Sequence, residues 1–176
     1  MEGTCPREKR KEEKEMKDTM LSIKKPHTDN IFSGKKKVEW RKYSLPAGRH
    51  HVYETKKNGG LGKVIGTFRT NTYYHFSNVE DIPEWLIRDG CVSREYLKRY
   101  ARGRTLFANV IYDVKRFEMP RDISEYKPYC GNKIDGECIL IGCQHQNFTV
   151  TPWDYSAYMC MKKISAPPQS YLYIDI

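Results

Sequence analysis

Long apolar runs are missing from this chain. No stretch approaches the ~20 residues that cross a bilayer as a helix, and the amino terminus has no apolar core of a signal peptide, so a cytoplasmic protein is expected. Cysteine is also sparse. Cys5, Cys91, Cys130, Cys138, Cys143 and Cys160 are too few and too irregularly spaced for a secreted disulfide scaffold, and reduced thiols are expected. Neither a glycine-rich phosphate loop, a nucleophile elbow nor a His-Glu-x-x-His helix occurs, which removes the enzyme classes that depend on them. No internal repeat is found.

What is present is charge, and it is unevenly placed. The net excess is +9 in 176 residues, a length that suits one domain with trimmings. Residues 1–20 hold six basic and six acidic side chains, whereas residues 21–63 hold eleven basic and only three acidic. Nearly all the excess therefore falls in one short stretch, as an electrostatic face for phosphates requires. The plainer alternative is a lysine-rich surface that only confers solubility. Aromatic residues reach 12%, with thirteen tyrosines, so the composition is globular despite its charge.

The segment 7–18, REKRKEEKEMKD, offers almost no apolar face, and residues 1–19 are expected to be a charged tail, disordered or a frayed helix. A single domain should occupy 20–176. It opens with a buried strand at MLSI and a two-turn helix begun by Pro26, with Gly34 at a left-handed helix end. In KKVEWR the alternation points Val38 and Trp40 to one face and Lys37, Glu39 and Arg41 to the other, while Lys36 belongs to the turn and leans over the strand's edge.

HHVYET and GKVIGTFRT read as a hairpin around the Asn-Gly of KKNGG. Pro83 opens a helix closed by Gly90, and Ser93 caps another that carries Tyr96, Leu97 and Tyr100. RTLFANVIYDVKRF is expected to be one long central strand, covered on both faces. Asp122 to Tyr126 reads as a helical turn and 127–160 as an irregular excursion, with a short helix from Thr151-Pro152; PPQSYLYIDI enters a terminal strand. The expected class is mainly β (α+β), a small barrel with short helices packed over its ends.

The pieces LSIKKPHTDNIFSGKKKVEWRK, VYET followed by GKVIGTF, VSREYLKRYARG and PPQSYLYIDI, in that order, resemble the ASCH domains of the PUA-like superfamily. The resemblance implies a PUA-like barrel with a cleft beside the Gly34-Lys35-Lys36 turn, and binding of RNA or of a modified nucleoside or nucleotide. Some members are small amidohydrolases of acetylated cytidine that use a lysine in this turn, a threonine three residues later and a further glutamate. Lys36 matches the lysine, but Glu39 stands at the threonine position, and this departure speaks against that activity.

The candidate ligand-binding residues are Lys24, Lys25, Lys35, Lys36, Lys37, Glu39, Arg41, Lys56, Lys57, Tyr73, Gln169 and Ser170. Lysines would neutralise phosphates; Glu39 would accept from a base amine and Arg41 would stack, unless the two form an ordinary surface ion pair. Tyr73, with Tyr74, His75 and Phe76, offers stacking surfaces, although packing is the commoner use of such rings. Gln169 and Ser170 resemble the family's cleft-edge segment.

If the protein is an enzyme, of amidohydrolase or ribonuclease type, Lys36 and Glu39 are the pair to carry the chemistry; a non-catalytic binding module is the favoured reading. A protein-interaction module, recruiting a partner through the tail and the excursion, is a third. No cofactor is expected, and a monomer is. Cys130, Cys138, Cys143, His145 and Cys160 are weak zinc candidates, because no Cys-x-x-Cys hook is among them.

Overall fold

The computed structural model describes residues 17–129, 164 and 166–175, and the backbone of two short strands between them. The charged tail before residue 17, the expected helix at Thr151-Pro152, and Cys5, Cys130, Cys143, His145 and Cys160 lie outside the described residues, as does the side chain of Cys138. Within that span no helix is long and apolar enough to cross a membrane.

The first strand, β1 (Thr19–Ile23), lies between β3 (Gly48–Glu54), to which it runs parallel, and the antiparallel terminal strand β11 (Tyr171–Asp175). The sheet continues on one side through β4 (Lys63–Thr70) to β7 (Tyr112–Arg121), and on the other to the two-residue β8 (Lys127–Pro128), giving the order β7-β4-β3-β1-β11-β8. A second sheet has the order β2-β6-β5, formed by Val38–Arg41, Leu106–Val110 and Tyr73–Phe76. Two-residue strands β9 (Lys133–Ile134) and β10 (Glu137–Cys138) pair with each other.

Helix α1 (His27–Phe32) covers the large sheet, while α2 (Glu84–Asp89) and α3 (Arg94–Ala101) cover the small one. Val38, Trp40, Leu86, Leu97, Leu106 and Ala108 form the core between the small sheet and its helices. Leu21, Ile31, Val52, Ile65 and Phe68 form that beneath α1.

One expectation is corrected. The long strand expected over 104–117 is broken: β6 is the middle strand of the small sheet, Asp113 takes a left-handed φ of 48°, and the chain crosses to the large sheet as β7. Apolar residues on both faces came from serving two cores in turn, since Leu106 and Ala108 belong to the first and Ile111 to the second. The expected mainly β (α+β) class holds; among the described residues the two sheets share no strand ladder, which is the open form of such an arrangement and not a closed barrel.

Other local rules hold. Gly34 has φ +74° at the end of α1, and Asn58 has φ 59° in the loop of the β3–β4 hairpin. Ser93 caps α3 by accepting from the Tyr96 amide. Ile123–Glu125 forms one 3₁₀ turn with a capping box from Asp122. His50 and His51, neighbours in β3, face opposite ways as strand geometry requires. His50 packs on Phe68, and His51 on Phe117 and Tyr126.

Two buried polar groups tie elements together. His50 bridges the hydroxyls of Thr19 and Thr70, at 2.5 and 2.7 Å. Burial holds its imidazole down to about 4, so it stays neutral. Glu54, at the end of β3, accepts from the Thr28 hydroxyl of α1 at 2.5 Å and from the Leu61 amide of the hairpin loop at 2.9 Å.

Candidate ligand pocket at the free edge of strand β2

Strand β2 is an edge of the small sheet, so its outward side faces β1 and α3 across a gap. A pocket of about 130 Å³ lies there, lined by Ser22, Lys24, His27, Lys36, Glu39, Trp40, Arg41, Tyr96 and Tyr100, with Ile23 and Val92. Three charged side chains make its floor. Lys36 is 3% exposed, Glu39 6% and Arg41 9%. Lys36 Nζ lies 3.5 Å from Glu39 Oε2, and Arg41 Nε lies 2.9 Å from Glu39 Oε1, although that N–H is not aligned as a hydrogen bond.

Backbone carbonyls fix both cations. Lys36 donates to the Gly90 carbonyl at 2.7 Å and Arg41 donates to the Ser22 carbonyl at 3.1 Å. The Lys37 amide donates to the Asp89 carbonyl, which pins the turn against the end of α2. Gly90 must be glycine for space: a Cβ there would sit 2.3 Å from Trp40 Nε1. The turn lysine expected to lean over the strand edge is therefore swung inward, because a carbonyl and a carboxylate await it. The Glu39–Arg41 pair is likewise not a surface one.

Electrostatics inside this group are lopsided. Burial pushes the Lys36 ammonium below the usual lysine range, against the pull of Glu39. Burial alone would raise the Glu39 carboxyl, yet Arg41, Lys36 and His27 together hold it low. Glu39 raises Arg41 against its own desolvation. The anion is thus firmly ionised and Lys36 is the strained cation of the three. His27 is lowered by burial and then by Lys36, and its Nδ1 has no hydrogen-bond partner among the described residues.

Rings enclose the pocket. Tyr96 and Tyr100, four residues apart on α3, stack with centroids 6.1 Å apart and planes 10° off parallel. His27 lies 6.0 Å from Tyr96, and the Lys42 ammonium sits 5.1 Å above the Tyr100 ring.

The remaining candidates divide. Lys24 is exposed and lines the pocket, while Lys35 and Lys37 project from the turn. Lys25 reaches Asp29 at 3.9 Å. Lys56 and Lys57 are exposed on the hairpin loop, whose Asn58 donates to the Lys25 carbonyl, so the loop flanks this side of the molecule. Lys63, which follows that loop and is not among the candidates, pairs with Asp122 at 2.7 Å.

Tyr73 is on β5, two strands from β2. Gln169 and Ser170 are exposed just ahead of Tyr171, which pairs with Leu21, so they arrive at the end of β1 that leads into Ser22. The sequence reading missed His27, Ser22, Tyr96 and Tyr100 as pocket residues, and Gly90 as the carbonyl that holds Lys36. The i, i+4 spacing of the tyrosines was visible, but it read as the apolar face of a helix.

Two partial sheets capped by short helices, with a glycine-lysine turn ahead of β2, make an α+β domain. Within that class the fold is that of the ASCH domains. The crystal structure of ASCH from Zymomonas mobilis superposes with a TM-score of 0.53 at 23% identity, over 61% of this chain and 75% of that one. Structures of two single-residue variants of the same protein give 0.53 at 24% and 22% identity, with 61% of this chain covered. No family model and no curated protein matches.

Proposed function

We propose that this domain binds an unpaired nucleobase, as part of single-stranded RNA or of a nucleotide-like ligand, in the pocket at the edge of β2. The observation that carries the reading is the buried Lys36–Glu39–Arg41 group beneath paired aromatic rings. Burying three charges is expensive, and replacing such a group with apolar residues is commonly neutral or stabilising, so stability does not account for it. A ligand does: Glu39 accepts from a ring N–H or exocyclic amine, the Lys36 and Arg41 N–H groups donate to ring carbonyls, and Tyr96 or Tyr100 supplies a stacking face.

Size supports one flat group. About 130 Å³ is close to the ~150 Å³ cavity that admits a benzene ring, and well under the ~300 Å³ at which pockets for larger molecules begin. Phosphates attached to such a base would stay outside, where Lys24, Lys35 and Lys37 are exposed. The test is a titration of the four nucleoside monophosphates and of short single-stranded RNAs, followed by tyrosine and tryptophan fluorescence. Lys36→Met keeps the buried stem and removes the charge; a loss of tenfold or more in affinity is expected. Equal affinity in wild type and variant rejects the pocket.

A second reading is favoured by one specific observation, the depressed Lys36 ammonium beside an ionised Glu39. Such a lysine serves as a base or nucleophile, with the carboxylate moving protons, in hydrolysis of an acyl-amine or phosphodiester bond of a nucleoside or RNA. Turnover of acetylated cytidine and of short RNAs by wild type, lost in Lys36→Ala, would support it. Equal rates in both would end it.

A further inference from the structure

The face of the small sheet that holds Glu39 and Arg41 does not end at β2. Register places Arg41 opposite Phe107, and Phe107 opposite His75; likewise Glu39 is opposite Asn109, and Asn109 opposite Tyr73. Opposed residues share a face and lie about 5 Å apart. Two rows therefore run from the pocket floor across β6 to the outer strand β5.

The Glu39–Asn109 row is sealed at its middle, since Asn109 is buried and its side-chain oxygen accepts from the Leu45 amide at 2.7 Å. The Arg41 row continues in rings that reach solvent, Phe107 and His75, and Tyr73, at the outer end of the other row, packs beside them. Phe107 is half-buried, His75 is exposed and Tyr73 is 47% exposed. Phe107 sits between the other two, 5.5 Å from Tyr73 and 6.1 Å from His75. The neighbouring Tyr74 and Trp85 pair with each other on the opposite face and take no part.

We infer that Phe107, Tyr73 and His75 form a stacking platform continuous with the pocket, and that the natural ligand is single-stranded RNA of several nucleotides rather than a free nucleotide. This rests on the pocket reading above. Rings on a sheet face bind bases of any identity, because every base presents a π-face. Two interstrand spacings separate β2 from β5 by about 10 Å, which about three nucleotides cover at a stacked rise of ~3.4 Å. A base in the pocket would leave its neighbours over Phe107 and the β5 rings.

The experiment measures affinity for the four homopolymeric RNA trinucleotides and for the matching monophosphates, in wild type and in the Tyr73→Ala/His75→Ala double variant. Both residues are exposed, so the fold should survive; a thermal melt checks this. Wild type should bind at least one trinucleotide roughly tenfold more tightly than its monophosphate. The double variant should lose that advantage while binding the monophosphate as before. An advantage that persists in the variant, or none in wild type, overturns the platform and leaves the pocket standing; rings that serve a protein partner instead of RNA would give one of these two results. Failure of wild type to bind any monophosphate or trinucleotide instead overturns the pocket, and the platform with it.

Discussion

The pocket at β2 and the groove beside β7 are both basic, but they are built in opposite ways. The groove is the larger, about 810 Å³, bordered by Arg49, Lys115, Arg116, Arg121 and the ring of Phe117. Each of its cations is already engaged at the surface: Arg49 with Asp18 at 3.6 Å, Lys115 with Asp113 at 3.3 Å, Arg121 over Phe117 and Arg116 over Phe32. Exposed pairs of this kind contribute about 0–1 kcal/mol and are screened by salt. In the pocket the same residue types are under a tenth exposed and held by backbone carbonyls. What separates the two openings is the desolvation of their charges and not their volume or the number of cations around them.

Substitution should sharpen that difference, most of all at Glu39. Glu39→Ala leaves two buried cations without a counter-charge, and a loss of about 3–5 kcal/mol is expected in urea unfolding. A change under 1 kcal/mol would mean the three charges are not desolvated together.

Acid comes next, and it acts on the scaffold behind both sites. The folded state holds His50 at about 4 against an ordinary 6.5, so it favours the neutral ring. The resulting stability is present above pH 6.5 and is lost as pH falls toward 4, by about 3 kcal/mol. His50→Gln should flatten the fall of the unfolding midpoint over that interval.

Gly90→Ala is expected to cost about 1–3 kcal/mol, because the methyl overpacks Trp40. It should also weaken ligand binding by shifting the carbonyl that holds Lys36. Unaltered affinity with lowered stability would separate the two consequences. At the small end, Lys115→Ala and Arg121→Ala in the groove should change stability by no more than about 0.5 kcal/mol and leave nucleotide affinity within twofold. A larger loss of affinity would move the binding surface to β7.

The sequence made the elements around the pocket legible because local chemistry marks them. Pro26, Gly34, the Asn58-Gly59 loop and Ser93 each impose a boundary on their own neighbours. Alternation in 37–41 also sorted Val38 and Trp40 from Glu39 and Arg41 correctly. It could not say that the second face is buried, since its cover comes from Ser22, His27, Tyr96 and Tyr100, which belong to other elements.

The break after Val110 was illegible for a different reason. Neither glycine nor proline marks it, and it is Asp113 that takes the left-handed turn. The four-residue strand Tyr73–Phe76 is too short to show a period at all.

The grip of Glu54 on both Thr28 and Leu61 makes the hairpin loop a splint for the helix that leads into the Lys36 turn. Lengthening that loop, or exchanging Glu54 for glutamine, would then shift the Lys36 turn from a distance, with no residue of the pocket replaced.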